Sequence, residues 1–173
     1  NGVGVAFGMY RPFIVTLGSV TIIRGLALIY SNCQPIFGVT KAFESIAGGF
    51  VFGSIPRLVV YFLGITIISA FILTKTVFGR RVYAVGGNET TAKVSGVSVP
   101  AIKIAVYSIS GLLAGFAGLL LSSRIVSGNP TSGQSYELDA IAAVIIGGIS
   151  MSGGSGQCSG PLLGALFIVV IVK

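Results

Sequence analysis

The sequence predicts an all-α, polytopic membrane helix bundle with a broken or re-entrant glycine-rich segment near its C-terminal end. Three observations predict it. Of 173 residues, 53% are hydrophobic and only 9% charged, against roughly 25% charged in a soluble domain whose surface must face water. Mean hydropathy is +0.97. Glycine, which is frequent in transmembrane helices, occurs 26 times. So little charge cannot cover a water-facing surface, and lipid must face most of this one.

A helix crossing about 30 Å of hydrocarbon needs roughly 20 mostly apolar residues. Residues 1–9 read as the tail of an earlier span. The chain begins at Asn1 and stops at Lys173 straight after an apolar run, so an internal fragment of a longer membrane protein is expected. The first full span is 12–30, PFIVTLGSVTIIRGLALIY, with Arg24 in its second half. The second is 58–78, LVVYFLGITIISAFILTKTVF, and the third is 101–123, AIKIAVYSISGLLAGFAGLLLSS, with Lys103 near its start. Residues 138–149 and 161–172 are apolar but too short to cross alone, and they flank SMSGGSGQCSG. They read either as broken helices, tolerated where their backbone is buried in protein or lines a wet cavity, or as one continuous pair of helices with a glycine loop. The whole chain is expected to be a single transmembrane domain.

Basic residues set the orientation. Lys75, Arg80, Arg81, Lys93 and Lys103 lie between the second and third spans, whereas 31–57 holds Lys41 and Arg57 against Glu44. The stretch after the third span holds Arg124 against Glu137 and Asp139. The positive-inside rule puts 79–100 in the cytoplasm and the other two connections outside. The net charge of +7 is therefore a topology signal, and no nucleic-acid footprint is expected, since that needs an exposed basic face.

The third span also carries a packing signal. Gly111 and Gly115 form G-x-x-x-G, and Ser110, Ala114 and Gly118 extend the small-residue face, which lets helix backbones approach closely in a bilayer. It fits either a compact bundle or a subunit interface. Arg24 falls about twelve residues into its span, where a charge is costly and points to a bundle interior or a water-filled path. With Glu137 and Asp139 it forms a candidate translocation path. The plainer reading of the two acids is interfacial anchoring at a helix N-terminus.

Catalytic patterns are missing. The chain has no His, and its carboxylates do not pair within a span, so acid–base chemistry near neutral pH lacks its usual groups. Cys33 and Cys158 lie far apart, form no zinc pattern, and are expected to be free, small apolar residues. No metal site is expected. The run GGSGQCSG at 153–160 is not G-x-G-x-x-G, and no G-x-x-x-x-G-K-[ST] occurs, so this chain cannot cradle ATP phosphates by itself. Asn88-Glu89-Thr90 matches a glycosylation sequon, but on the cytoplasmic side that is a chance match.

The polar stretch 79–100, GRRVYAVGGNETTAKVSGVSVP, holds Arg80, Arg81 and Lys93 against Glu89. Gly86-Gly87 breaks the chain, Asn88 is a good N-cap, and Glu89 stands in the first turn with Lys93 at i+4, the favourable order for a pair. Gly96 is a stop signal and Pro100 precludes easy continuation. A capped helix of about two turns, 89–95, follows. Isolated helices shorter than roughly 12 residues are marginal in water, so it should rest against its own bundle or a cytoplasmic partner.

The stretch GRRVYAVGGNETTAKVSGVSVPAIKIAVYSISGLLAGFAGLLLSSRI resembles the permease subunits of bacterial ABC importers of the ribose type. PFIVTLGSVTIIRGLALIY and GQSYELDAIAAVIIGGISMSGGSGQCSGPLLGAL extend the likeness over essentially the whole chain, in order. The resemblance implies a membrane subunit in the bacterial cytoplasmic (inner) membrane that takes a ribose-like monosaccharide from a periplasmic or extracellular binding protein. A second permease copy, identical or not, would complete the path. Two separate ATPase subunits would bind ATP and Mg²⁺ and drive the cycle, with no cofactor on this chain. In that family a short cytoplasmic helix docks on the ATPase. Gly87, Asn88, Glu89, Thr91, Ala92, Lys93, Ser95 and Gly96 match this coupling segment. Its usual flavour is N-E-x-A-A-[RK]-x-S-G, and in Thr90-Thr91 the second Thr stands here where Ala is more usual. Related branched-chain amino-acid permeases share a looser glycine pattern and are the alternative. An ion-coupled secondary transporter is a weaker one, since such proteins usually carry intramembrane carboxylates and broken repeats. A membrane-embedded enzyme is weaker still.

Overall fold

In the computed structural model, which describes residues 1–7, 12–51, 55–151, 153–157 and 159–172, the apolar runs are helical. A peptide group in hydrocarbon finds no water and has to bond within its own segment. The elements run α1 (Gly2–Phe7), α2 (Pro12–Tyr30), α3 (Lys41–Ala47), β1 (Phe50–Val51), β2 (Ile55–Pro56), α4 (Arg57–Lys75), α5 (Val77–Gly87), α6 (Glu89–Val94), α7 (Val99–Ile125), α8 (Tyr136–Ile146) and α9 (Ser159–Val172). Helices α2, α4 and α7, of 19, 19 and 27 residues, are long and apolar enough to cross a membrane. At 1.5 Å per residue they measure about 28, 28 and 40 Å. Their most apolar 18-residue windows have no buried residue, and Phe13, Ile22, Ile67 and Leu112 are exposed. Apolar surface of that extent is stable against lipid or another apolar surface, not against water.

Four hydroxyls inside the spans bond back to their own helices. Thr16 Oγ1 donates to Pro12 O (3.1 Å), Ser19 Oγ to Val15 O (2.8 Å), Thr21 Oγ1 to Leu17 O (2.9 Å) and Thr74 Oγ1 to Ala70 O (2.7 Å). This back-bonding to the preceding turn lets polar residues sit in an apolar helix without a stranded donor.

The second long helix ends at Lys75 rather than Phe78. Thr76 leaves the helix with extended backbone and accepts the Gly79 N–H, so it N-caps α5. The polar stretch 79–100 is accordingly mostly helical, holding α5, α6 and the start of α7. Pro100 stands in the first turn of α7, where a missing N–H costs nothing. The third helix thus begins at Val99 and runs to Ile125.

The chain divides into two units, 1–63 with 103–132 and 64–102 with 133–173. In the first, Gly2 of α1 approaches Ile104 and Tyr107 of α7, and Tyr61 of α4 meets Phe116 of α7 edge to face at 6.0 Å and 89°. Strands β1 and β2 pair antiparallel, Phe50 with Pro56 and Val51 with Ile55, a ribbon absent from an all-helical expectation. Helix α3 is pinned by one side chain. The fully buried Ser123 hydroxyl donates to Phe43 O (2.6 Å) and accepts the Ala47 N–H (3.0 Å). Beside it Ile36 and Gly128 form a two-bond bridge, each at 2.9 Å, and Val126 adopts φ +52. That conformation is strained for a β-branched residue and is held here from both sides. Cys33, at φ +58, is an exposed free thiol. Cys158 lies outside the described residues, as do Gly8 and Met9 of the supposed earlier span.

In the second unit α8 and α9 form an antiparallel hairpin of 11 and 14 residues. Each is shorter than a bilayer is thick. Glycine sets their spacing: a Cβ at Gly147 would overlap Gly160, and one at Gly164 would overlap the Ala143 carbonyl. By contrast, a Cβ at Gly111, Gly115 or Gly118 would meet no described atom within 4 Å, and Ser110 and Ala114 beside them are exposed. The predicted small-residue face of α7 is therefore uncovered by the described residues of this chain.

Two consequences are measurable. Ser123→Ala should leave the buried Ala47 N–H unsatisfied and cost about 1–3 kcal/mol, read as faster tryptic cleavage after Lys41 in detergent-solubilised protein. Gly164→Ala should lower thermal stability by an overpacking penalty of about 1–3 kcal/mol, while Gly115→Ala should leave the fold of this chain little changed.

Candidate functional site

The stretch 87–96 is built around one residue shared by two helices. Asn88, with extended backbone (φ −157, ψ 107), closes α5 by donating its N–H to Ala84 O (3.1 Å) and opens α6 by accepting the Ala92 N–H on its carbonyl (3.0 Å). Its Oδ1 accepts the Thr91 N–H at 3.0 Å, taking up one of the donors a helix start leaves without a partner. Glu89 in the first turn and Lys93 in the last both suit the helix dipole.

The other end closes equally tightly. Gly96 is left-handed at φ +81 and donates to Lys93 O (3.1 Å), while Val97 N–H reaches back to Ala92 O (3.0 Å). This is a Schellman stop, which favours Gly at the left-handed position. The helix runs Glu89–Val94 with Ser95 as its C-cap, one residue shorter than the sequence predicts.

One side chain of α6 enters a buried apolar cluster. Ala92, 3% exposed, packs with Val85 of α5 and with Val99 and Ile102 of α7, and Phe78, Val82 and Val97 close around them. Glu89, Thr90, Thr91, Lys93 and Ser95 face outward. So does Val94, 86% exposed. Sequence reasoning missed Val94. Its signal was an apolar residue in an otherwise polar two-turn helix, on a face that Ala92 does not share.

The preceding glycines also have an assigned neighbour. Gly86 and Gly87 lie directly against Gly153 and Gly154, and a Cβ at Gly86 would come within 2.6 Å of Gly154 N. Tyr83 Oη donates to Gly156 O at 3.0 Å. The glycine-rich turn between α8 and α9 is thereby joined to the α5–α6 corner, an association that spacing in the sequence does not reveal.

The other candidate residues are distributed between the units. Arg24 lies in α2 of the first unit and is half-buried. Glu137 and Asp139 occupy the first turn of α8 in the second, behind Ser135 at φ +71, whose side chain makes no cap bond. Acids there compensate exposed N–H groups, which agrees with the plainer reading of both. Asp139 also borders a groove of about 620 Å³ between α8 and α9, lined with Tyr136, Ala140, Ala143, Ala165 and Ile168. Among the described residues no three His, Cys, Asp or Glu side chains gather where a metal could be held.

Three bilayer-length apolar helices define a multi-pass membrane protein. Over residues 1–173 the chain matches the family described as branched-chain amino acid transport system / permease component, and it belongs to that family. It is 45% identical to the ribose import permease protein RbsC of Bacillus subtilis over 97% of this chain and 52% of that protein. It is 43% identical to the ribose import permease protein RbsC of Haemophilus influenzae (97% and 53%). To the galactose/methyl galactoside import permease protein MglC of Salmonella typhimurium it is 39% identical (99% and 53%). The chain spans about half the length of the curated relatives it matches. No solved structure matches it.

Removing the shared cap isolates its contribution. Asn88→Ala should destabilise α6 by about 1 kcal/mol, seen as faster hydrogen–deuterium exchange of the 89–95 amides, while Asn88→Asp should keep near-parental protection.

Proposed function

We propose that this chain is part of the membrane permease of an ATP-binding-cassette importer that moves a ribose-like monosaccharide across the bacterial cytoplasmic membrane, and that α6 is where a separate ATPase delivers its work. The carrying observation is the build of α6: closed at both ends, seated in the buried cluster through Ala92, and exposed at Glu89, Thr90, Thr91, Lys93 and Val94. A two-turn helix has little stability of its own, and an element finished this carefully yet left uncovered suits docking into a partner. The relatives' names, two ribose permeases and a galactoside permease, support a sugar over a branched-chain amino acid.

In this reading 79–100 is cytoplasmic, in keeping with the exposed Lys75, Arg80, Arg81 and Lys93. Gly87, Asn88, Glu89, Thr91, Ala92, Lys93, Ser95 and Gly96 form the contact element. ATP and Mg²⁺ belong to the partner, and closure of the ATPase pushes α6 and tilts the attached α4 and α7. A second permease copy and an external sugar-binding protein complete the assembly. The exposed Gly111 and Gly115 face of α7 is available for helix packing. Arg24, in the first unit, and Glu137 and Asp139, in the second, are candidate path residues, each to be tested on its own.

The test is made in the intact transporter. Charge reversal at Glu89 or Lys93 should weaken ATPase co-purification and uptake, and Ala92→Pro, which cannot keep the α6 backbone bond to Asn88 O, should abolish coupling. Undiminished ATP-driven uptake by Ala92→Pro would remove α6 from the mechanism. Uptake that needs an ion gradient and no ATPase would replace the reading with a secondary transporter.

A further inference from the structure

The turn between α8 and α9 has an unusual build for a connection. Gly148, Gly153, Gly154 and Gly156 all have positive φ, and the turn closes on itself through Ser150 N–H to Ser155 O (3.3 Å) and Gly153 N–H to Ser150 O (3.1 Å). Gly153 and Gly154 present backbone to the α5–α6 corner. Gly86 and Gly87 present backbone in return, so Gly153 and Gly154 sit against them with no compressible side chain between. One directional bond fixes the register: the half-buried Tyr83 donates to Gly156 O at 3.0 Å.

We propose that this contact is a latch, with Tyr83 as its positioning residue, through which displacement of α6 is carried into the α8–α9 hairpin. The inference rests on the coupling role of α6 proposed above, and adds a second route beside the covalent one through α4 and α7. Three features of the contact carry it. Backbone packed on backbone transmits a push without the slack of rotating side chains. The hairpin in turn moves as one body, because Gly147 meets Gly160 and Gly164 meets Ala143 at backbone distance. The hairpin also carries Glu137 and Asp139 in the first turn of α8, so a shift at the turn reaches two of the candidate path residues.

The experiment uses the full transporter with its ATPase and binding protein in liposomes, with spin labels at Arg81→Cys in α5 and Met151→Cys in the turn, Cys33 and Cys158 being replaced by Ser. Both labelled positions are exposed. With Tyr83 intact, the distance between labels should be the same with and without ATP, because corner and turn travel together. Tyr83→Phe removes one hydrogen bond and no volume. It should broaden the distance distribution on ATP binding and lower sugar imported per ATP hydrolysed by about three- to ten-fold. Gly86→Ala, which pushes Gly154 away, should do the same. A label distance that already changes with ATP when Tyr83 is present would overturn the latch. So would an unchanged transport-to-hydrolysis ratio in Tyr83→Phe. If a variant fails to assemble, the distance with Tyr83 intact still decides. A parental complex that imports nothing with ATP overturns the importer reading instead, an outcome distinct from a broken latch.

Discussion

In hydrocarbon a peptide group finds no water, so a chain this apolar must close its N–H and C=O groups within its own helices. The consequences run through the molecule. Span hydroxyls turn back on carbonyls one turn earlier, as Thr16 and Thr21 do. Polar side chains with freedom to cap, such as Thr76 and Asn88, gather where helices end. The buried hydroxyl of Ser123, which leaves its own helix, supplies both a donor and an acceptor to α3 and so leaves nothing stranded.

Glycine does two different jobs under that constraint. Along α7 the glycines leave an open face, uncovered by the described residues. Around the hairpin they permit contact: α8 and α9 meet at Gly147, Gly160 and Gly164, and the turn beyond meets Gly86 and Gly87. Spacing alone favoured the first set, because G-x-x-x-G is a local pattern. The second set has no pattern in any one segment, since its partners lie more than sixty positions apart at Gly86 and Gly154.

The functional proposal grows from an imbalance in α6. Its ends are closed by Asn88 and Gly96, yet its one buried residue is Ala92, and Val94 faces outward. A helix needing only to connect two spans could be a loop. Membership of a transport permease family supports the proposal that α6 docks on a partner, and the backbone contact at the turn supports the proposed latch.

Much of this was legible in the residues. Apolar runs of bilayer length, the cap at Asn88, the stop at Gly96 and the likeness to sugar permeases are local or colinear signals, because hydrophobic length and capping depend on neighbours within a few positions. Boundaries were less legible: apolar Val77 and Phe78 look like a continuation of the span, and only the Thr76 cap shows that they open another helix. The β1–β2 ribbon, the Ser123 clasp on α3, the exposure of Val94 and the union of Tyr83 with Gly156 belonged to tertiary structure alone. Each depends on which distant backbone groups come within hydrogen-bond or van der Waals reach, and that is settled only when the whole chain is packed.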